Sequence, residues 1–237
     1  MSRGRLYLIP NTLGKTTVNN TIPEEVLQVI RRLDLLYVEN IQSASRFLNW
    51  VGGTVPEYNI DFYPLDKRTS AVDAHDYLKP ILSGRDGGII SEAGCPGVAD
   101  PGSVLVRLAH SRGVEVHPMV GPSSILLALM ASGFNGQQFA FHGYLPIDHK
   151  ERKKRITELE QESRSKDQTQ IFMEAPHRNN ELLKALVGQC GKESRICTAT
   201  DLSLAGQEVH CRSIAEWKVS KLPDLHKRPT IFLLYWK

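Results

Sequence analysis

The sequence is short of several features that would settle a function quickly. Only four cysteines occur in 237 residues, Cys95, Cys190, Cys197 and Cys211. They are scattered, show no zinc-ligand spacing and are too few to staple a chain of this length, so reduced and mostly buried thiols are expected, with no metal site. Aromatic residues make up 7 % of the chain and the formal net charge is only +3. That charge permits a polyanionic partner without requiring one, and it lacks the basic excess usual in a dedicated nucleic-acid binder. Long hydrophobic runs are missing as well. The longest uncharged stretch, Pro118 to Ile147, is broken by Gly121, Pro122, Gly133, Asn135 and Gly136, and its apolar run Ile125 to Ala131 falls short of the roughly 20 residues of a membrane span. Leu6 to Pro10 is too short for the core of a secretion signal. The expectation is a cytoplasmic chain with no membrane association.

What is present is an alternation of short β-rich runs with helical patterns, over a length that suits one large or two small domains. Arg5 to Ile9 reads as a strand stopped by Pro10. Pro23, Glu24 and Glu25 open a helix with Val26, Leu27, Ile30 and Leu33 on one face. Strands follow at Leu35 to Val38, Tyr58 to Tyr63, Gly87 to Ile90 and Val114 to His117. Between them lie helices Gln42 to Val51, ended by Gly52-Gly53, Ala71 to Leu82, and one begun by Pro101 and closed by Gly113. After Gly121-Pro122 the pattern restarts with helix Ser124 to Ala131, strand Phe139 to His142, helix Lys150 to Gln161, strand Gln170 to Met173 and helix His177 to Gln189. Strands Ile196 to Thr200, Gly206 to Arg212 and Thr230 to Tyr235 then follow with little helix between them. The prediction is an α/β protein of two α/β domains, residues 1–117 with a mainly parallel sheet and residues 118–237 with a mixed sheet, enclosing a ligand cleft between them.

Ligands of such sheets collect outside the carboxyl ends of strands. Four strand-end segments qualify: Pro10-Asn-Thr-Leu-Gly14, Glu39-Asn40, Ser91 to Gly102, and Glu174-Ala-Pro-His-Arg178. The Ser91 to Gly102 segment carries three glycines and two prolines, which let backbone approach a ligand closely and then hold it still. It exceeds the usual 2–6 residues of a strand-to-helix connection and reads as a preformed binding loop. It is neither a P-loop nor a G-x-G-x-x-G turn, so a phosphate cradle is disfavoured.

These segments, together with Leu8-Ile9, Tyr37-Val38, Gly121-Pro-Ser-Ser124, Phe141-His-Gly-Tyr-Leu-Pro146 and Phe172-Met173, resemble the tetrapyrrole methylase family. Within that family the chain is most similar to the branch of bacterial small-subunit ribosomal RNA 2′-O-ribose methyltransferases. The resemblance implies a two-domain homodimer that binds S-adenosylmethionine in the cleft and methylates RNA, with a ribosomal RNA ribose 2′-O as acceptor. Carried over by position, the cofactor contacts are Pro10, Gly14, Ser91, Glu92, Ala93, Gly94, Val98, Ser123, Ser124, Met173, Leu202, Pro229 and Thr230. Glu39-Asn-Ile-Gln42 departs from the Glu-Asp-Thr-Arg of that branch, Glu92 and Cys95 stand where Asp and Thr are usual, and Asp201-Leu-Ser-Leu204 replaces a segment that carries Glu and Lys. These departures bear on the acceptor more than on the cofactor. A tetrapyrrole, corrinoid or other small acceptor, and a non-catalytic dimeric binding module, are therefore the alternatives.

Catalytic candidates are Glu39, Glu174, His177 and Arg178. Glu174 and Arg178 either orient an acceptor or form a structural pair one helical turn apart. Asp100 reads as the N-cap of the next helix ahead of a catalytic group, and Ser123 either caps a helix or helps hold a carboxylate. The run His149-Lys-Glu-Arg-Lys-Lys-Arg155 either contacts phosphates or is a solvated helix face.

Overall fold

In the computed structural model, which describes residues 3–15, 21–52, 56, 59–65, 69 and 75–236, the chain forms two units, Met1–Ser123 and Ser124–Lys237. The first contains β1 (Arg5–Ile9), α1 (Glu24–Arg32), β2 (Leu35–Val38), α2 (Ile41–Val51), β3 (Asp61–Pro64), α3 (Lys79–Leu82), β4 (Gly87–Ile90), α4 (Ser103–Ser111) and β5 (Glu115–Pro118). Its five strands are all parallel, in the order β3-β2-β4-β1-β5.

The pleat of these strands divides their side chains between two cores. Tyr7, Ile9, Leu36, Val38 and Ile90 face one way and pack with Val26, Leu27 and Ile30 of α1 and with Ala44, Phe47 and Leu48 of α2. Leu6, Leu35, Tyr37 and Ile89 face the other way and pack with Ile81 of α3 and with Leu105 and Ala109 of α4. A parallel sheet covered on both faces leaves its strand ends as the place for function.

The second unit contains α5 (Ser124–Ser132), β6 (Phe139–Tyr144), α6 (His149–Lys166), β7 (Thr169–Met173), a 3₁₀ turn (Pro176–Arg178), α7 (Asn179–Gln189), β8 (Ser194–Thr200), β9 (Glu208–Ser213), α8 (Ile214–Val219) and β10 (Thr230–Trp236). Its sheet is mixed, in the order β6-β7-β10-β8-β9. Only the β6–β7 pair is parallel. Phe172 and Phe232 stack on one face, centroids 6.2 Å apart and planes 2° from parallel, in a core shared with Ile156, Leu186 and Trp217. No helix among the described residues is long and apolar enough to cross a membrane.

Several predicted elements shift. β3 starts at Asp61 rather than Tyr58, which lies outside the described residues together with Gly53 and Ala71 to Ala74. The helix ending at Leu82 is interrupted at Leu78, ahead of Pro80. The helix assigned from His177 begins at Asn179, because Pro176 starts a tighter turn first. α6 runs on to Lys166, where Asp167 turns left-handed at φ 49°. The six-residue α8, opened by a capping box between Ser213 and Glu216, has no counterpart in the sequence reading.

Candidate active site

Because β4, β1 and β5 are neighbours in a parallel sheet, the segments that follow them meet at one edge. Asn11 and Gly94 form an isolated antiparallel bridge there, with N–H to O distances of 2.9 and 3.1 Å. The buried Asn11 amide donates further to the carbonyls of Ser91 (3.0 Å) and Glu92 (3.3 Å), while its Oδ1 accepts from the Thr12 N–H at 2.8 Å. The Ser91 hydroxyl donates to the Gly94 carbonyl at 2.9 Å. Gly121 fits against Pro10 so closely that a Cβ there would come within 2.2 Å of the proline Cβ. The Cys95 thiol donates to the Pro122 carbonyl at 3.5 Å. Pro10, Ser91 and Gly94 are thus buried in a knot of backbone, while Glu92, Ala93 and Val98 are exposed along its outer rim.

Gly94 has φ +69°, and a Cβ there would lie 3.3 Å from Leu13 and 3.4 Å from the Pro122 carbonyl oxygen. A side chain at Gly94 therefore meets both backbone strain and contact. Asp100 is not the N-cap of α4, a position that Gly102 occupies without a side-chain cap. Its Oδ1 instead accepts from the N–H groups of Gly97 (2.6 Å) and Gly102 (2.8 Å), folding the loop upon itself. The reason is local: an Asx-type turn to the second residue onward competes with helix capping. Burial pushes the Asp100 carboxyl above the usual carboxylate range, against the opposing pull of those two amides.

Gly14, Glu92 and Ala93 also line a pocket of about 380 Å³ whose other wall is α2, including Arg46 and Trp50. The sequence reading missed Asn11, Arg46 and Trp50. Asn11 lies inside the Pro10 to Gly14 turn, and Arg46 and Trp50 lie within the helix expected over Gln42 to Val51, where no local motif marks either. Glu39 is exposed at the end of β2 and does not line this pocket. Ser123 is half-buried beyond β5, and Ser124 is the first residue of α5.

In the second unit the predicted residues gather where β7 and β8 end and β10 begins. Met173 pairs with Ile231, and Thr200 pairs with Thr230, whose hydroxyls meet at 3.1 Å. The exposed Pro229 accepts from the Asp201 N–H at 2.9 Å, and Leu202 follows, buried. Asp201 takes the Arg228 guanidinium at 2.7 Å. Glu174 is buried and bound to Arg178 at 2.6 Å, and its Oε1 also accepts from the Ala175 N–H at 2.7 Å. His177, on the same 3₁₀ turn, is exposed. Of the basic run at the start of α6, Arg152 is buried against His149 and Arg155 is held by Glu158, Glu162 and His142. Lys150, Lys153 and Lys154 are exposed.

No protein-family model matches the chain, so its kinship rests on individual relatives. It is 30 % identical over 213 residues to ribosomal RNA small subunit methyltransferase I of Vibrio cholerae, covering 89 % of this chain and 69 % of that protein. It is 28 % identical over 215 residues to the protein of the same name from Escherichia coli O157:H7, covering 91 % of this chain and 71 % of that one. Among solved structures, the methyltransferase CobJ matches at TM-score 0.64 and 19 % identity over 98 % of this chain and 94 % of that one. Diphthine synthase matches at TM-score 0.70 and 16 % identity over 99 % and 90 %. These two likenesses establish the fold. The chain belongs to the ribosomal RNA small subunit methyltransferase I family, within the tetrapyrrole methylases, and is a methyltransferase.

Proposed function

We propose that the chain transfers the methyl group of S-adenosylmethionine to RNA, at a ribose 2′-O of ribosomal RNA, acting as a cytoplasmic homodimer. The observation that carries the reading is the chemistry of the Ser91 to Gly102 loop. Its rim exposes the Glu92 carboxylate and the loop has no lysine or arginine. Such a rim attracts a cation such as a sulfonium or ammonium and repels phosphate. The relatives carrying the ribosomal RNA name cover most of the chain, and α5 leaves Met130 77 % exposed, an apolar position suited to a second copy.

The cofactor, when bound, supplies a methyl group activated by its positively charged sulfur. The protein's part is to hold donor and acceptor in line, exclude water and receive the acceptor's proton. Pro10, Gly14, Ser91, Glu92, Ala93, Gly94 and Val98 are the proposed cofactor contacts of the first unit. Ser123 joins them at its end, and Ser124, Met173, Leu202, Pro229 and Thr230 are those of the second. Glu174 and Arg178, locked to one another, fix the turn that carries His177. The exposed His177 and Glu39 are the groups proposed to take the proton from a hydroxyl acceptor.

The test is to incubate the protein with radiolabelled S-adenosylmethionine and with small ribosomal subunits or ribosomal RNA from cells lacking the gene. Label in ribose 2′-O is the expected result. Binding of the cofactor with no label in any RNA fraction would overturn the acceptor, and absence of cofactor binding by calorimetry would overturn the reading as a whole.

A further inference from the structure

The pocket beside the Ser91 to Gly102 loop has a chemistry of its own. The wall formed by α2 presents Arg46 and Trp50, four residues apart and therefore on one helix face. Trp50 is 52 % exposed although it lines a concavity floored by the buried Phe47. The Arg46 guanidinium bends back along the helix, donating to the Gln42 carbonyl at 3.3 Å and to the Ser43 hydroxyl at 3.2 Å. That leaves most of its donors for an incoming oxygen. Lys15 adds a second cation from the segment after β1. Among the described residues no carboxylate forms an ion pair with Arg46 or Lys15. Glu92 stands on the wall supplied by the binding loop, where it accepts from a hydroxyl or an exocyclic amine and repels phosphate.

A planar aromatic face bordered by two cations and a hydrogen-bond acceptor matches an unpaired nucleotide. The base stacks, the phosphates follow the cations, and the sugar or base edge meets the acceptor. A free phosphate has no use for Trp50, and a neutral apolar ligand has none for Arg46 and Lys15.

We infer that this pocket is a docking site for single-stranded RNA, in which one unstacked base lies on Trp50 while Arg46 and Lys15 hold the adjoining phosphates. The inference rests on the RNA reading above and assigns the acceptor strand a place in the first unit.

The probe is a uridine decamer, titrated against the whole protein by fluorescence anisotropy and by tryptophan quenching. Trp217 is buried and Trp236 is covered by Arg164 at 4.7 Å, so the quench reports on Trp50. Trp50→Ala is expected to weaken binding about tenfold, and Trp50→Phe to restore most of it. Arg46→Gln is expected to lower the slope of log affinity against log salt by about 0.7. The affinity of each variant for S-adenosylmethionine should match wild type. Equal binding of the decamer by wild type and Trp50→Ala overturns the inference. So does a Trp50→Ala variant that loses the cofactor instead of the RNA, which would return the pocket to the cofactor. RNA labelling in the transfer assay is scored separately: label in RNA with no effect at Trp50 removes only this site, whereas no label and no decamer binding removes the RNA reading too.

Discussion

Asn11 and Gly94, 83 residues apart in sequence, are bonded backbone to backbone in both directions. The same asparagine spends its side-chain amide on the two carbonyls that open the Gly94 loop. One residue after β1 thus sets the shape of the loop after β4.

Asn11→Ala removes the side-chain bonds to Ser91 and Glu92 and the acceptor for the Thr12 N–H while leaving the bridge itself. With Asn11 only 7 % exposed, the loss is expected to cost about 1–3 kcal/mol of stability and to weaken S-adenosylmethionine binding at the same time. Urea unfolding and calorimetry measure the two. A variant with wild-type stability and wild-type affinity contradicts the role.

Gly94→Val forces a β-branched residue to φ +69° against Leu13 and the Pro122 carbonyl. The strain is of the order of 1–3 kcal/mol, and cofactor affinity is expected to fall at least tenfold. Gly97→Ala is the control. It has φ +79° but open space around the added Cβ, so its effect on affinity should be the smaller of the two.

Arg178→Ala leaves the Glu174 carboxylate buried without its cation. The Glu174 side chain has no exposure and that of Arg178 has 24 %, so removing the cation is expected to lower stability. A stability loss in urea unfolding marks a positioning pair. Loss of methyl transfer with unchanged stability would mark direct contact with the acceptor.

Cys211 faces Cys197 directly across β8 and β9. The neighbouring Cys197 thiol and the Arg195 cation hold the Cys211 thiol below its ordinary value, while its Sγ also donates to the Ser132 carbonyl at 3.4 Å. The Cys211 thiol and burial push Cys197 upward, and burial raises Cys190 to about 12. Alkylation by iodoacetamide at pH 7 should therefore reach Cys211 before Cys190 or Cys197. Because the same contact lowers one thiol and raises the other, the contributions of the two to stability against pH oppose one another, and Cys211→Ala should slow alkylation at pH 7 without a large change in stability.

Substituting Lys150, Lys153 and Lys154 together by alanine should lower the salt slope for a single-stranded RNA by up to about 2, at about 0.7 per phosphate contact, with little change in stability. Arg152→Ala should do the reverse, since that guanidinium is buried against His149. A triple-lysine variant with an unchanged slope would return the helix start to the role of a solvated face.

Strands such as β1, β2 and β7 were legible because each is short, largely apolar and stopped by proline or charge, at Pro10, Glu39 and Glu174. The Ser91 to Gly102 loop was legible because its glycines and prolines cluster. What escaped depends on contacts remote in sequence or on competition within a turn. Asn11 acts on carbonyls 80 and 81 positions away. Asp100 carries the residue type of a helix cap, yet it bonds to Gly97 and Gly102 instead. The start of α7 was misplaced because Pro176 opens a tighter turn first. Ser213 and Glu216 did carry a capping-box signature for α8, but six residues are too few for a helical period to register. Arg46 and Trp50 gain meaning only once the segment after β1 and the binding loop are placed opposite them.

The position of β10 governs how the second unit can be assembled. Thr230–Trp236 fills the middle of its sheet, between β7 and β8. Until that segment has left the ribosome, the strands made earlier carry two raw edges with their amides and carbonyls unsatisfied, open to pairing with a neighbouring nascent chain. The first sheet is complete once Pro118 has been made. A chain cut short ahead of Thr230 would consequently combine a finished amino-terminal sheet with an aggregation-prone remainder.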